Sequence, residues 1–233
     1  MHYSAIAFDT GGTVLDWHSS MVEELAQVGR WQDSPLDRHA FTNDWRRRTM
    51  KGIVGQARPA FNMDDVHLWA LDETIEAFDL PRLAAEERLH LWRGWHRLRA
   101  WPDFAPALAA LRQRLPVVSF TMLPTSLVVD VSRRNSISWD AIISCEMIGV
   151  YKQHRDAYVT AARWLNLAPD RILMVACHNF DLNAAHAAGM RTAFVRRPHE
   201  WGPAGPPDPN PNMPYDLVVD GFDELQQLVL APP

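Results

Sequence analysis

The fold is decided by one stretch near the start of the chain, Ala5-Ile6-Ala7-Phe8-Asp9-Thr10-Gly11-Gly12-Thr13. An apolar run leads into an acid and then into two glycines, which is the pattern of a buried strand that opens into a tight turn. An acid in that position lies at the carboxyl end of the strand, where the ligand crevice of an open parallel sheet is found. Asp9 is therefore the first candidate functional residue.

Five further apolar runs predict strands along the rest of the chain. They lie at residues 117–120, 141–143, 172–176, 192–195 and 217–219. Apolar residues at spacings of three and four, as from Tyr158 to Leu165, predict helices between the later runs, and Asn135 and Gly189 are each expected to end a helix. Alternation of strands and helices favours an α/β fold with a Rossmann-like parallel sheet covered on both faces.

Residues 17–100 interrupt this alternation with helix-like periodicity and no convincing strand. We interpret them as an inserted all-helical domain, and residues 1–16 together with 101–233 as the core. Seven of the ten tryptophans fall between Trp17 and Trp101, so they could wall an apolar cavity, although most are expected to pack the insertion itself. A segment with seven prolines between Arg197 and Pro214 is interpreted as an extended surface loop.

The bulk composition excludes several classes of partner. A net charge of -5 over 233 residues offers no basic surface for phosphates, so we expect no nucleic acid and a small-molecule ligand instead. No basic leader or 18-residue apolar run is seen, which predicts a cytoplasmic protein without membrane contact. The two cysteines, Cys145 and Cys177, are too few for a disulfide framework and lack metal-ligand spacing, so both are expected to be reduced and buried.

Polar side chains follow apolar segments at four places: Asp9, Thr121, Lys152 and Asp181. The carboxyl ends of parallel strands share one edge of a sheet, so these side chains are expected to converge there.

Four stretches resemble, in order and spacing, the motifs of the haloacid dehalogenase superfamily. They are Phe8-Asp9-Thr10-Gly11-Gly12-Thr13-Val14-Leu15-Asp16-Trp17 for the first motif, Thr121 for the second, Tyr151-Lys152 for the third and His178-Asn179-Phe180-Asp181 for the fourth. The helical insertion resembles the cap of this superfamily. Trp95-His96 and Trp101-Pro102-Asp103 are similar to the cap exit of type II haloacid dehalogenase-like proteins.

The resemblance implies a role for each residue of the set. Asp9 would be a carboxylate nucleophile, which splits one displacement into formation and hydrolysis of an ester. Lys152 would keep Asp9 ionised. Thr121 could donate a hydrogen bond to a carboxylate, and Asp181 could orient either Lys152 or the hydrolytic water.

Two departures distinguish this chain from the superfamily's phosphatases. Gly11 replaces the second acid that protonates a leaving oxygen, a role worth about 10²- to 10⁴-fold. Cys177 stands where an acid helps to hold Mg²⁺, and a thiol is a poor ligand for that cation. A halide leaving group needs neither feature. We therefore expect metal-independent dehalogenation of a small 2-haloalkanoic acid through an Asp9 ester, with no cofactor.

The expected substrate site contains Thr10, Gly11, Arg46, Met122 and Asn179. Arg46 matches the cap arginine that meets the halide or the substrate carboxylate, but Arg46-Arg47-Arg48 is also typical of a solvated helix face. Gly11 would open space beside the nucleophile. Met122 lies where an amide donor is usual in these dehalogenases.

His178 stands where the well-known dehalogenases have asparagine, although a His-Asn-x-Asp-Leu form resembles another branch of the type II group. It could position the hydrolytic water, act as a base near neutral pH, or be a hydrogen-bonded strand-end histidine.

Two other functions stay open at this point. One is a Mg²⁺-dependent phosphatase acting on small phosphate esters. The other is a non-catalytic binding protein that keeps the fold, which is motivated by Gly11 and Met122. Analogy with the family suggests a homodimer, although the sequence shows no interface signature.

Overall fold

The structure, a computed structural model that describes residues 3–54 and 63–231, is built on a six-stranded parallel sheet. Its strands are β1 Ala5–Phe8, β4 Val117–Thr121, β5 Ala141–Ser144, β6 Ile172–Ala176, β7 Arg191–Val195 and β8 Leu217–Val219, in the spatial order β5-β4-β1-β6-β7-β8. All five neighbouring pairs are parallel. The predicted α/β fold and each of its six strands are confirmed.

Strand β1 lies in the middle of the sheet, because it pairs with β4 on one side and with β6 on the other. All four of its residues are buried. Phe8 is in register with Ser119 and Val175, so the residue that follows it emerges at the centre of the carboxyl edge. This register places Asp9 where the chains leaving β4 and β6 also converge.

Six helices accompany the sheet. They are α5 Phe104–Arg112, α6 Thr125–Arg134, α7 Cys145–Ile148, α8 Arg155–Trp164, α9 Asn179–Ala187 and α10 Phe222–Leu230. Asn135 caps α6, and Gly189, with φ of 93°, follows α9, so both predicted helix ends are confirmed. The rings of Phe104 and Phe222, 4.8 Å apart, hold α5 to α10. Within the described residues no helix is long and apolar enough to cross a membrane.

The insertion consists mainly of helices. They are α1 Trp17–Ala26, α2 Arg38–Ile53, α3 Met63–Ala77, α4 Ala85–Trp92 and a 3₁₀ helix, Arg93–Arg97. A two-residue antiparallel ladder joins β2, Leu15–Asp16, to β3, Arg99–Ala100, at the stem of the insertion. The expectation that residues 17–100 hold no strand is therefore wrong at β3, since two residues are too few to show alternation in a sequence.

The buried tryptophans of the insertion pack against one another. The ring of Trp95 stacks on Trp17 with centroids 6.3 Å apart and meets Trp45 edge-on at 5.3 Å. Their side chains are fully buried, so they form part of the hydrophobic core. The expectation that most of these tryptophans serve packing is met for these three.

Candidate active site

Asp9, Lys152 and Asp181 meet at the carboxyl edge of the sheet, as their positions in the sequence predict. The Lys152 ammonium donates to Asp9 Oδ1 at 3.2 Å, to Asp181 Oδ2 at 2.8 Å and to the Phe120 carbonyl at 2.7 Å. The Tyr158 hydroxyl donates to the other oxygen of Asp181 at 2.7 Å. We call Lys152, Asp181 and Tyr158 the lysine side of the site.

Lys152, Asp9 and Asp181 are buried together, and burial with the charge of Asp9 raises the pKa of Asp181 although Lys152 lowers it. Burial alone would raise the pKa of Asp9, but the nearby ammonium of Lys152, together with His178 and Thr13, holds that pKa well below its usual range. Burial would lower the pKa of Lys152, yet Asp181 and Asp9 raise it. Asp9 is therefore an ionised carboxylate beside a fixed cation.

The other oxygen of Asp9 has different neighbours. Thr13 Oγ1 donates to Asp9 Oδ2 at 2.8 Å, and the same hydroxyl accepts from the Cys177 amide at 3.0 Å. His178 Nδ1 lies 3.3 Å from Asp9 Oδ2, and His178 Nε2 lies 2.9 Å from Glu200 Oε1. We call Thr13, His178 and Glu200 the histidine side. Burial would lower the pKa of His178, but Cys177, Glu200 and Asp9 raise it well above its usual value.

Glu200 can reach this position because Gly12, which faces it, has no side chain. Gly12 has φ of 93°, and a Cβ on it would lie 2.1 Å from Glu200 Oε1. Trp17 Nε1 donates to the same carboxylate oxygen at 3.0 Å, and only 1% of Glu200 is exposed. Burial would raise the pKa of Glu200, but His178 lowers it, so the pair carries opposite charges in the resting protein.

A cavity of about 420 Å³, ordinary for a small-molecule site, opens over Asp9. Its wall includes Gly11 and Met122, both predicted there, and Arg46 from α2. Arg46 is 5% exposed and lies with its Cζ 5.6 Å from the Trp17 ring centroid. In the described part of the chain its guanidinium forms no hydrogen bond or ion pair, so it is a buried cation with donors left for an anion. The interpretation of Arg46 as part of a solvated helix face is wrong for this residue.

Three predicted residues have contacts that differ from those expected. The Thr10 hydroxyl is 2.7 Å from that of Ser119 and is not part of the cavity wall, so a substrate contact through this side chain is not supported. Asn179 lines the cavity, but its amide is used to hold the proline-rich loop through Asp208 at 3.0 Å and the Asn212 amide at 3.0 Å.

Thr121 also lines the cavity, but its hydroxyl accepts from the Leu123 amide at 3.1 Å. Among the residues that the structure describes, it has no hydrogen bond to Asp9. Thr121 therefore shapes the turn after β4.

Thr13, Tyr158 and Glu200 belong to the site although we did not select them from the sequence. Thr13 lies inside the stretch quoted at the start, and Tyr158 was used only as a helix marker. Glu200 gives no local signal, because it is a single acid in a segment interpreted as an extended surface loop. That segment forms a loop with one short 3₁₀ turn, Gly202–Ala204, but it carries a buried charge into the site.

Cys177 brings a thiol rather than a carboxylate to the position where a Mg²⁺ ligand was considered. Its Sγ is 3.5 Å from His178 Nε2, and burial raises the pKa of the thiol to about 11. Within the described residues, the group with three candidate metal ligands close together is Cys177, His178 and Glu200. This donor set is unlike the all-oxygen set that Mg²⁺ prefers.

The fold and the site define a class of α/β proteins with a parallel sheet, an aspartate at the end of its first strand and a helical insertion beside it. A family model for haloacid dehalogenase-like hydrolases matches residues 3–189, and the chain belongs to that family.

Several similar proteins are named 2-haloacid dehalogenases. The chain is 27% identical over 199 residues to an (S)-2-haloacid dehalogenase of Xanthobacter autotrophicus, covering 83% of this chain and 75% of that protein. Two crystal structures match at 32% identity. The L-2-haloacid dehalogenase PA0810 has a TM-score of 0.90, with 99% of this chain and 100% of that one covered. The defluorinating L-2-haloacid dehalogenase Rha0230 has a TM-score of 0.91, with 98% and 96% covered.

Proposed function

We propose that this protein is a metal-independent hydrolase that releases halide from a small 2-haloalkanoic acid through an ester on Asp9. The observation that carries the proposal is a buried, ionised carboxylate, 3.2 Å from the Lys152 ammonium, that faces a cavity also lined by the free cation of Arg46. The names of the relatives support the carbon-halogen bond as the target.

In the first step an oxygen of Asp9 attacks C2 of the bound acid. The new carbon-oxygen bond forms as the carbon-halogen bond breaks, and the halide leaves with the electron pair. Arg46 can bind either the substrate carboxylate or the departing halide, because its donors have no protein acceptor in the described residues. Neither a proton donor nor a metal is needed for this leaving group.

In the second step water cleaves the ester at the carboxyl carbon of Asp9. Ester formation removes the negative charge of Asp9, which is one of the groups that hold the proton on His178. His178 can then lose its Nδ1 proton to solvent while its Nε2 proton stays paired with Glu200, so Nδ1, 3.3 Å from the nucleophile's oxygen, can accept a proton from the attacking water. The water oxygen enters the regenerated Asp9 carboxylate, the second water proton goes to the 2-hydroxy acid as it leaves with the Asp9 oxygen that attacked C2, and the proton released earlier from His178 is the one lost to solvent.

The test is halide release by metal-free protein from chloroacetate, 2-chloropropionate and fluoroacetate, with phosphate release from small phosphate esters measured in parallel. We expect halide without added metal, and a loss of at least about 10⁴-fold in Asp9→Asn, because the nucleophile is gone. Asp223→Asn, a change of the same type in the first turn of α10, should keep the wild-type rate.

Three outcomes would overturn the proposal. Equal rates in wild type and Asp9→Asn would exclude the nucleophile. Phosphate release that EDTA abolishes, without any halide release, would favour the phosphatase. Absence of both products and of a trapped adduct on the Asp9 peptide would favour a non-catalytic binding protein.

We also propose that the helical insertion is a separate cap domain and that the protein is a cytoplasmic homodimer. Light scattering on the purified protein tests the dimer, because a mass near 26.6 kDa would mean a monomer.

A further inference from the structure

Three side chains of different chemistry meet beside Asp9. Cys177 Sγ lies 3.5 Å from His178 Nε2 and 3.7 Å from Glu200 Oε2, and His178 Nε2 lies 2.9 Å from Glu200 Oε1. All three residues are buried. The proposed reaction uses His178 and Glu200 but gives the thiol no role.

The spacing of these groups fits a tetrahedral zinc site, because one ligand atom from each residue lies within 4.8 Å of the others. Bonds of about 2.3 Å to sulfur and about 2.0–2.2 Å to nitrogen and oxygen, at tetrahedral angles, separate the ligand atoms by about 3.3–3.6 Å. The distances from Cys177 Sγ to His178 Nε2 and to Glu200 Oε2 are already close to this range. His178 Nε2 is hydrogen-bonded to the other oxygen of Glu200, Oε1, and this bond has to open when a cation replaces its proton.

We propose that Cys177, His178 and Glu200 form a binding site for Zn²⁺ and that its occupation inhibits the enzyme. A thiolate and an imidazole select zinc over the hard cations Mg²⁺ and Ca²⁺. His178 and Glu200 line the cavity, which gives the cation a way in, and water can supply the fourth ligand. Binding releases the thiol proton and the proton shared by His178 and Glu200, with no change of oxidation state.

Inhibition follows from the geometry and, unlike metal binding itself, rests on the proposed function. Zinc on His178 Nε2 replaces the hydrogen bond to Glu200 and confines the one proton of the neutral ring to Nδ1, so Nδ1 can no longer accept a proton from water. The added positive charge also lies one imidazole ring away from Asp9 and reduces its strength as a nucleophile.

The test uses Co²⁺ as a coloured substitute for Zn²⁺. Titration of the metal-free protein should give one equivalent of tetrahedral Co²⁺, with a thiolate charge-transfer band in the near ultraviolet that Zn²⁺ abolishes. Cys177→Ser should lose the band. Cys145→Ser removes the other buried thiol, at the start of α7, and should keep it. Glu200→Gln should keep the band but bind at least about tenfold more weakly.

The proposal is overturned if no band appears, if Cys177→Ser retains it, or if Cys145→Ser loses it. Far-ultraviolet circular dichroism shows whether Cys177→Ser is folded, and if it is not, an unchanged affinity in Glu200→Gln overturns the site. Halide release by a protein that shows no band would overturn this inference alone. A band in a protein that releases no halide would keep the site and overturn the proposed function.

Discussion

The two oxygens of Asp9 have unlike surroundings. On the lysine side Oδ1 faces an ammonium that is itself fixed by a second carboxylate and a backbone carbonyl. On the histidine side Oδ2 faces a hydroxyl and an imidazole that is paired with a carboxylate from a distant loop. One side holds a charge in place, and the other contains a group that can take up and give back a proton.

This difference separates the two proposed steps. Formation of the ester needs an ionised, oriented Asp9, which the lysine side supplies. Hydrolysis of the ester needs a proton acceptor near the carboxyl carbon, which the histidine side supplies. Variants on the two sides are therefore expected to fail at different steps.

Among variants on the two sides, the largest effect is expected from Lys152→Met. The change keeps the length of the side chain but leaves Asp181 without its paired cation and Asp9 without one of the groups that hold it ionised, which costs about 3–5 kcal/mol of the free energy of unfolding. Halide release should fall at least about 10³-fold, because the nucleophile loses the ammonium that fixes its charge and its position. Denaturant unfolding and initial rates measure the two effects. Lys51→Met, at the chain's other lysine on the exposed end of α2, should change neither. Near-normal activity in Lys152→Met would remove the lysine side from the mechanism.

Glu200→Gln should slow the second step and leave the first almost intact. The amide can still accept a hydrogen bond from Trp17 Nε1, but it lacks the negative charge that stabilises the imidazolium of His178 once Nδ1 has taken a proton from water. Loss of general-base assistance predicts about a 10²-fold lower kcat, within the usual range for such groups. Rapid quench should show a stoichiometric burst of halide, and mass spectrometry should show the ester on the Asp9 peptide.

Glu224→Gln, the same change in α10, is the control for Glu200→Gln and should behave as wild type. If Glu200→Gln slows the halide burst and the steady-state rate equally, the lysine side and the histidine side both act in the same step. In that case the separation argued above would be wrong.

A smaller effect is expected from Tyr158→Phe. The hydroxyl donates to a buried charged acceptor, Asp181 Oδ1, and such a bond contributes about 1.5–3 kcal/mol. We expect Tm to fall by several degrees and activity by roughly tenfold or less, because Lys152 keeps its other partners.

Tyr151→Phe is the matched control, since its buried hydroxyl has no hydrogen-bond partner in the described residues. Removal of this hydroxyl should leave Tm unchanged or raise it. If the two variants lose equal stability, the bond to Asp181 does not contribute as argued.

The sequence predicts the lysine side better than the histidine side for a physical reason. Asp9 follows β1 and Asp181 lies in the first turn of α9, just after β6, so the topology of the sheet brings these two to one edge. Lys152 follows α7 rather than a strand, and it is found from its motif. Glu200 lies in a loop without periodicity, and its burial depends on Trp17 and on the bare backbone of Gly12 at the other end of the chain. No pattern in the local sequence indicates a contact between residues so far apart in the chain.

The same limit applies to two other features. The ladder between β2 and β3 is too short to produce a pattern, and its partners are separated by the whole insertion. The amide of Asn179 could be placed at the cavity from its motif, but its bonds to Asp208 and Asn212 depend on how the proline-rich loop returns. Position along a strand is readable from sequence, whereas the partners of a polar side chain are decided by tertiary structure.

The smallest effect is expected from a change at Gly11. This residue lies beside Asp9 in the cavity wall, between the lysine side and the histidine side, and we call this part of the site the open face. A Cβ on Gly11 would be 3.5 Å from Arg46 Nη2 and 3.7 Å from Leu123 Cδ1, which are ordinary contacts, so Gly11→Ala should fold with unchanged Tm. The methyl group narrows the cavity beside the nucleophile. We expect the ratio of kcat/KM for 2-chlorobutanoate over chloroacetate to fall roughly threefold to tenfold, at or below what one methylene contributes in a fitted pocket.

Gly29→Ala, where a Cβ meets nothing within 4 Å, should leave that ratio unchanged. Ester hydrolysis in Gly11→Ala, measured as the decay of trapped ester, should match wild type, because neither Lys152 nor His178 is touched. Slower decay would show that the open face also takes part in the chemistry. If the ester decays at the wild-type rate while the ratio of kcat/KM values changes, the cavity wall selects substrates by size and the two sides of Asp9 carry out the chemistry.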